Sequence, residues 1–397
     1  MDISKILSNP VSLKLDIMLR GIRVDRVLLD LLSKSNYIFT VEGIELELKN
    51  GIKVRAPYLD KVSRRSPYML DYESKEIVVD EHRVTVKLTG DFQINKKKTS
   101  NNILMSRIAN LYGKYLAITP TPSCGFFGER LACAFCPAVV DEQREGSAVS
   151  VDDVLETIRE IYKTEKPSII LLSIGDMGTD DGGIEFAEQY IKAIHKYFNV
   201  MIMLEVSPPK YPEWIDTAYG AGADAICFNI DIFDQKLFNE LCPGKAKDNG
   251  RERYFNALKY ATGIYPQGTV LTHLILGIEP VESTITGIQY LTSIGVVPIL
   301  SVFRPVNKSM MKYFVNLSIE EILPVYTSLY CSMRKNKIPF TWTKHLGFAI
   351  TPLEASIFNC RNDLKNRMAL MVEGSTAIDS IRAGMLRIRR SLRVKEL

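Results

Sequence analysis

Cys124, Cys133 and Cys136 fall within thirteen residues of one another, in the run Cys-Gly-Phe-Phe-Gly-Glu-Arg-Leu-Ala-Cys-Ala-Phe-Cys-Pro. Thiolates gathered in a glycine-containing loop, with a short C-x2-C pair among them, suit an iron–sulfur cluster. Three ligands leave one iron of a [4Fe–4S] cluster open to bind and activate a small molecule, whereas four would suit electron transfer alone. A structural zinc site normally closes with four ligands. The histidines, His82, His195, His273 and His345, all lie far from this run in sequence. Cysteines are also common small core residues, but three so close together beside Gly125, Gly128 and Pro137 point to ligation.

The elements that must hold this loop follow from hydrophobic patterning. From residue 115 onward, apolar runs at 115–120, 168–174, 199–206, 223–231, 268–276 and 296–303 alternate with helical patterns at 151–164, 182–197, 211–220, 249–262, 282–293 and 318–335. Nearly continuous apolar strands are expected where helices cover a parallel sheet. Six such units predict an α/β fold with a parallel sheet, open or curled into a partial barrel. The cysteine run follows the first strand, so it falls at the C-terminal edge of the sheet, where α/β folds place their sites.

The spacing C-x8-C-x2-C, with Phe135 just before the last cysteine, resembles the C-x3-C-x2-C signature of the radical S-adenosylmethionine (SAM) superfamily. The first interval is longer here than in the common pattern. The segment Ser173-Ile174-Gly175-Asp176-Met177-Gly178 is similar to that family's Gly-Gly-Glu stretch, with Asp176 in place of the glutamate. Asn229-Ile230-Asp231 resembles the polar ribose motif of the biotin-synthase-like branch. His273 to Glu279 matches part of the family's G-x-I-x-G-x-x-E segment, with His273 where its first glycine stands. Val297-Pro298 and Arg304-Pro305 are similar to the end of that branch's barrel.

The resemblance implies a partial parallel (β/α)6 barrel over 114–335. It also implies a [4Fe–4S] cluster on Cys124, Cys133 and Cys136. Phe135 and Ile275 would lie near the adenine of SAM, Gly175 and Asp176 would hold its methionyl amine, and Asn229 and Asp231 its ribose. The open iron would bind the amine and carboxylate of SAM. A flavodoxin- or ferredoxin-type donor would supply the electron that cleaves it, and the 5′-deoxyadenosyl radical would abstract hydrogen from a small-molecule substrate. Glu205, Ser207, His273 and Arg304 are candidates to meet that substrate, with strand parity deciding which face inward. Sulfur insertion of the biotin- or lipoyl-synthase kind needs a second cluster. The remaining cysteines, Cys227, Cys242, Cys331 and Cys360, contain no C-x2-C pair. Rearrangement or C–C bond chemistry without a second cluster is therefore expected. The competing class is a zinc- or iron–sulfur-stabilised structural module without catalysis.

The flanks differ from this core. In 1–113, a helical pattern from Leu13 to Leu32 breaks near Gly21, and alternating runs at 44–48 and 52–56 flank Asn50-Gly51, a hairpin signal. A second pair, 77–79 and 84–88, completes a predicted α+β domain. Because every cysteine ligand lies after residue 120, this region is expected to cover the barrel or shape its entrance, and the barrel to hold a cluster without it. Lys96 to Asn102 reads as a solvated linker. The stretch 336–397 is a predicted helical extension, with helices from Pro352 and from Ser375 to about Arg390. A net charge of +4 without a concentrated basic face argues against nucleic acid. No apolar run reaches the ~18 residues of a membrane span. With no signal-peptide pattern at the start, a cytoplasmic protein is expected.

Overall fold

The computed structural model describes residues 2–33, 43–89, 94–121, 123–127, 131–136, 148–304, 311, 314–340, 342–343, 346 and 348–358. The chain opens with α1 (Ile3–Ser8) and α2 (Pro10–Arg20). The Asn9 side chain accepts the Val11 and Ser12 N–H groups, and Pro10 takes the first helical position, where its missing N–H costs nothing. After β1 (Arg23–Val24) and α3 (Arg26–Ser33), the predicted hairpin forms from β2 (Gly43–Glu47) and β3 (Lys53–Pro57), Leu46 opposite Val54. Its turn puts Asn50 and Gly51 at φ 62° and 73°. The meander β4 (Met69–Asp71), β5 (Glu76–Val79) and β6 (His82–Thr85) extends β1, while β7 (Lys87–Leu88) crosses to β2.

The segment predicted as a solvated linker is instead stitched to the barrel. Lys97 Nζ reaches Glu160 at 2.6 Å, and the Asn101 amide donates to Asp153. It leads into α4 (Met105–Ile108), β8 (Ala109–Tyr112) and β9 (Tyr115–Ile118). The units α5 (Val151–Ile161), β10 (Ile169–Ser173), α6 (Ile184–Tyr197), β11 (Met201–Glu205) and α7 (Glu213–Ala221) follow. Then come β12 (Ala225–Cys227), α8 (Gln235–Leu241), α9 (Gly250–Ile264) and β13 (Val270–Leu276). α10 (Val281–Ser293), β14 (Val297–Val302), α11 (Ile319–Lys335) and α12 (Pro352–Ala355) close the described chain.

The sheet order is β14-β13-β12-β11-β10-β9-β8, parallel from β9 to β14. This is the predicted partial parallel barrel. Two differences from the sequence reading stand out. β8, assigned there to the N-terminal region, is the antiparallel edge strand of the barrel sheet. The fourth parallel strand stops at Cys227 rather than Asp231. Beyond it the side-chain oxygen of Asn229 accepts the His273 N–H at 3.2 Å, and Asp231 adopts φ 64°. The predicted helix from Ser375 lies outside the described residues.

Strand parity sorts the side chains. Odd-numbered residues such as Ala117, Leu171, Ser173, Glu205, His273 and Ser301 line an internal cavity of about 590 Å³. Even-numbered partners such as Ile170, Leu172, Ile202, Leu204, Ile226 and Leu274 are fully buried beneath the helices. Register reinforces this, with Ser173 beside Glu205 and Glu205 beside Cys227.

Two buried polar joints fasten the N-terminal region to the rest. Lys14 Nζ bonds both carboxylate oxygens of Glu354, at 2.8 and 2.9 Å, and the Glu354 side chain also caps its own helix at Thr351. Arg304 donates to the Leu19 carbonyl at 2.5 Å and to Ser63 Oγ at 2.9 Å, and it pairs with Asp60 at 3.1 Å. Gly21 sits at this junction with φ 70°. A Cβ there would lie 2.0 Å from Ser63 Oγ, so only glycine fits.

Candidate active site

The cysteine loop is clamped from two sides by backbone contacts. At its start the Gly125 N–H donates to the Asp176 carbonyl at 2.7 Å. Gly175 approaches so closely that an added Cβ would meet the Ser123 carbonyl oxygen at 2.5 Å and Cys124 Cβ at 3.0 Å. At its other end, Ala134 N–H donates to the Leu241 carbonyl at 2.8 Å and Gly244 N–H to the Leu131 carbonyl at 2.9 Å. The clamps are thus the turns after β10 and after α8. Cys124, Cys133 and Cys136 are all half-buried and all border the cavity. We expect Gly175→Ala to leave the fold cooperative while sharply lowering the iron taken up on anaerobic reconstitution, because crowding of this kind typically costs about 1–3 kcal/mol locally. Iron content per folded chain is the measurement. Wild-type uptake would show that the loop yields without consequence.

Charge is arranged around Cys133. The Cys242 thiol donates toward it, and this, together with the nearby Lys245 ammonium, outweighs burial and holds Cys133 below its ordinary pKa. Cys242 is correspondingly pushed up by the same hydrogen bond and by burial. Cys124 is raised, chiefly by burial. Burial works against the Lys245 charge, but Asp231 and further anionic groups more than offset it and hold its pKa well above the usual value. Lys245 Nζ lies 2.5 Å from Asp231 Oδ2 and 2.8 Å from the Asn229 carbonyl oxygen. Three thiols and one ammonium at the mouth of a cavity are a donor set that fits an anionic iron–sulfur cluster.

The sequence candidates divide by position. Phe135, Gly175, Asp176, Asn229, Asp231 and Ile275 all border the same cavity as the cysteines. Asp176 already accepts the Gly178 N–H at 2.9 Å, and Asn229 Oδ1 accepts from His273 N and the Cys227 thiol. Glu205, Ser207 and His273 also face in. Ser173 Oγ donates to Glu205 Oε1 at 2.6 Å, and the His273 ring stacks on Phe348 at 5.9 Å. Arg304 touches the cavity rim, but both terminal guanidinium nitrogens are committed to Leu19, Ser63 and Asp60, so it is a joint rather than a free cation aimed at substrate. Lys245 was not singled out from sequence. Its signal was the Pro243-Gly244 turn with a lysine directly after it, next to Cys242. Met18, Arg55 and Pro57 bring the N-terminal region onto the cavity wall. Arg55 there sits 4.4 Å over the Tyr112 ring and bonds Glu45 at 3.3 Å.

Parts of the chain are similar to known proteins. Residues 118–285 match the family model of the radical SAM superfamily. A stretch of 106 residues is 26% identical to bacteriochlorophyllide c C-7(1)-hydroxylase from Chlorobaculum limnaeum; it amounts to 26% of this chain and spans only 26% of that protein. Among solved structures, methylornithine synthase aligns over 61% of this chain and 68% of its own, with TM-score 0.47 and 15% identity. HydG, a maturase of the [FeFe]-hydrogenase, aligns over 65% and 54%, with TM-score 0.44 and 11% identity. The superfamily uses a [4Fe–4S] cluster and S-adenosylmethionine.

Proposed function

We propose that this enzyme of the radical SAM class abstracts hydrogen from a small molecule held inside the barrel, starting a rearrangement or a C–C bond-forming step. One observation carries the reading. The three cysteines, the polar pair Asn229 and Asp231, and the inward side chains Glu205 and His273 all border a single cavity of about 590 Å³, a volume suited to a small molecule. When bound at Cys124, Cys133 and Cys136, the cluster and SAM supply a 5′-deoxyadenosyl radical.

The chain's own residues do the rest. Asp231, its Oδ2 held by Lys245, presents its other oxygen for a ribose hydroxyl, and Asn229 offers its amide N–H beside it. Gly175, whose missing side chain lets the cysteine loop pack against it, borders the cavity where the methionyl amine would lie. Phe135 and Ile275 provide apolar faces for the adenine. Met18, Arg55 and Pro57 border the cavity from the N-terminal region, where they would help to keep water from the reactive centre. A flavodoxin- or ferredoxin-type donor and a reducing, cytosolic setting go with this chemistry.

Sulfur insertion is the less favoured reading. Among the described residues the other cysteines do not gather: Cys227 lies in the barrel wall, Cys242 behind Cys133, and Cys331 is exposed on α11. Cys360 lies outside the described residues. The test is anaerobic reconstitution followed by SAM and dithionite. We expect about four irons per chain and formation of 5′-deoxyadenosine, with neither in a C124A/C133A/C136A variant. A variant that keeps its iron removes the assignment, and a wild type holding about eight irons would restore sulfur insertion.

A further inference from the structure

We propose that Glu205, Cys227 and His273 form a mononuclear zinc site on the inner wall of the barrel, separate from the three cysteines of the cluster loop. One carboxylate oxygen, one thiol sulfur and one imidazole nitrogen from these residues all lie within 4.8 Å of one another. They come from three adjacent strands, β11, β12 and β13, with Glu205 and Cys227 paired in register. Tetrahedral zinc with bonds of about 2.0–2.3 Å sets its donors about 3.4–3.8 Å apart. The 4.8 Å bound exceeds that spacing by at most about 1.4 Å, a gap that side-chain rotation can close.

Each donor is already oriented by a neighbour. The Ser173 hydroxyl holds Glu205 Oε1 at 2.6 Å and leaves the other carboxylate oxygen available. The Cys227 thiol points to Asn229 Oδ1 at 2.9 Å. Phe348 stacks on the His273 ring with an interplanar angle of 17°, which fixes the ring plane. Among the described residues, neither His273 ring nitrogen has a hydrogen-bond partner, and no lysine or arginine pairs with Glu205. The nearby ammonium of Lys245 is committed to Asp231. An interior carboxylate beside a thiol is costly unless a cation compensates it.

One sulfur, one nitrogen and one oxygen suit a borderline-soft ion and disfavour calcium or magnesium. Glu205 and His273 face the cavity, so the fourth position opens into it. There it can take a carboxylate, hydroxyl or amine of a small molecule. Binding exchanges the Cys227 thiol proton for the Zn–S bond and releases that proton to solvent. Zinc uptake stands independently of the function proposed above. Giving the fourth position to substrate rests on that reading.

The test uses the full chain reconstituted with iron and sulfide, then given Zn2+ alone and gel-filtered. We expect one zinc per chain, with the iron content unchanged. Its X-ray absorption edge should report a single sulfur neighbour at about 2.3 Å with nitrogen and oxygen at about 2.0–2.1 Å. Cys227→Ala should remove the sulfur neighbour. His273→Gln, whose ring faces the cavity and whose replacement leaves the core intact, should keep it, and both should weaken affinity at least about tenfold. No retained zinc, zinc surrounded by three sulfurs, or unchanged affinity in both variants would overturn the site. Iron content and 5′-deoxyadenosine formation, measured on the same samples, report the radical chemistry separately.

Discussion

Lys245→Met should lower stability by about 3–5 kcal/mol, the usual cost of stripping a buried charge of its partner. Only 14% of the Lys245 side chain and 11% of the Asp231 side chain are exposed, and 2.5 Å separates their charged atoms. Methionine fills the space of the lysine stem but leaves the Asp231 carboxylate without its cation. The double variant Lys245→Met with Asp231→Asn should recover much of the loss, since it removes both charges together. The folded-state pKa of Lys245 lies above its ordinary 10.5. A raised cation contributes stability that is complete below that ordinary value and is lost as pH rises through the folded one. The deficit of the variant should therefore stay constant from pH 6 to 9. Lys245 also helps to keep Cys133 low, after the Cys242 hydrogen bond. Its loss should shift half-maximal iron uptake to higher pH. Denaturant midpoints and iron uptake against pH are the measurements. An unchanged midpoint would show the pair to be wet.

Removing the N-terminal region should abolish the folded barrel rather than free it. The sequence alone suggested the opposite, because every cluster ligand lies beyond residue 120. A chain starting at residue 96 leaves Glu354 without Lys14 and Arg304 without Asp60, both in buried positions. Each orphaned charge costs about 3–5 kcal/mol, and together they rival the about 5–15 kcal/mol by which domains are stable. We expect 96–397 to be insoluble or to unfold without a cooperative transition. A monomeric fragment with a sharp transition would show that the barrel stands alone. Arg304→Met in the full chain is the milder version. Its cost should sit at the low end of that range, because Asp60 keeps the Val62 and Ser63 N–H groups and the Ser63 hydroxyl.

How far the fold could be read in advance depends on the range of the forces involved. Apolar alternation is local, so six strands and six helices were legible, as was the Asn50-Gly51 turn. α8 was missed because its seven residues bury only Phe238, too little for a helical pattern. The fourth strand was read too long because Ile230 and Ile232 continue the apolar run. What ends it is the Asn229 side chain taking the His273 N–H from 44 residues away. Cys124, Cys133 and Cys136 announced themselves by spacing. Lys245 and Arg304 could not be assigned, because their partners depend on which loop packs against which. Parity placed Glu205, His273 and Ile275 in the cavity once the sheet existed. The same parity put Cys227 on the face of Asn229 and Asp231, but only the β11–β12 register shows it beside Glu205.

The Lys14–Glu354 pair also sets a clock on biosynthesis. Its partners are 340 residues apart, and a ribosome adds about 5–20 residues each second. Roughly 20–70 s thus pass between the emergence of one partner and the other. Throughout that interval α2 can already pack on β3, its main partner, but Lys14 has no carboxylate to meet. The charges of Lys14 and Asp16, which end up buried, are meanwhile free to hold that helix in water. Completion of the fold is timed by the arrival of residue 354, long after the cysteine loop has left the ribosome.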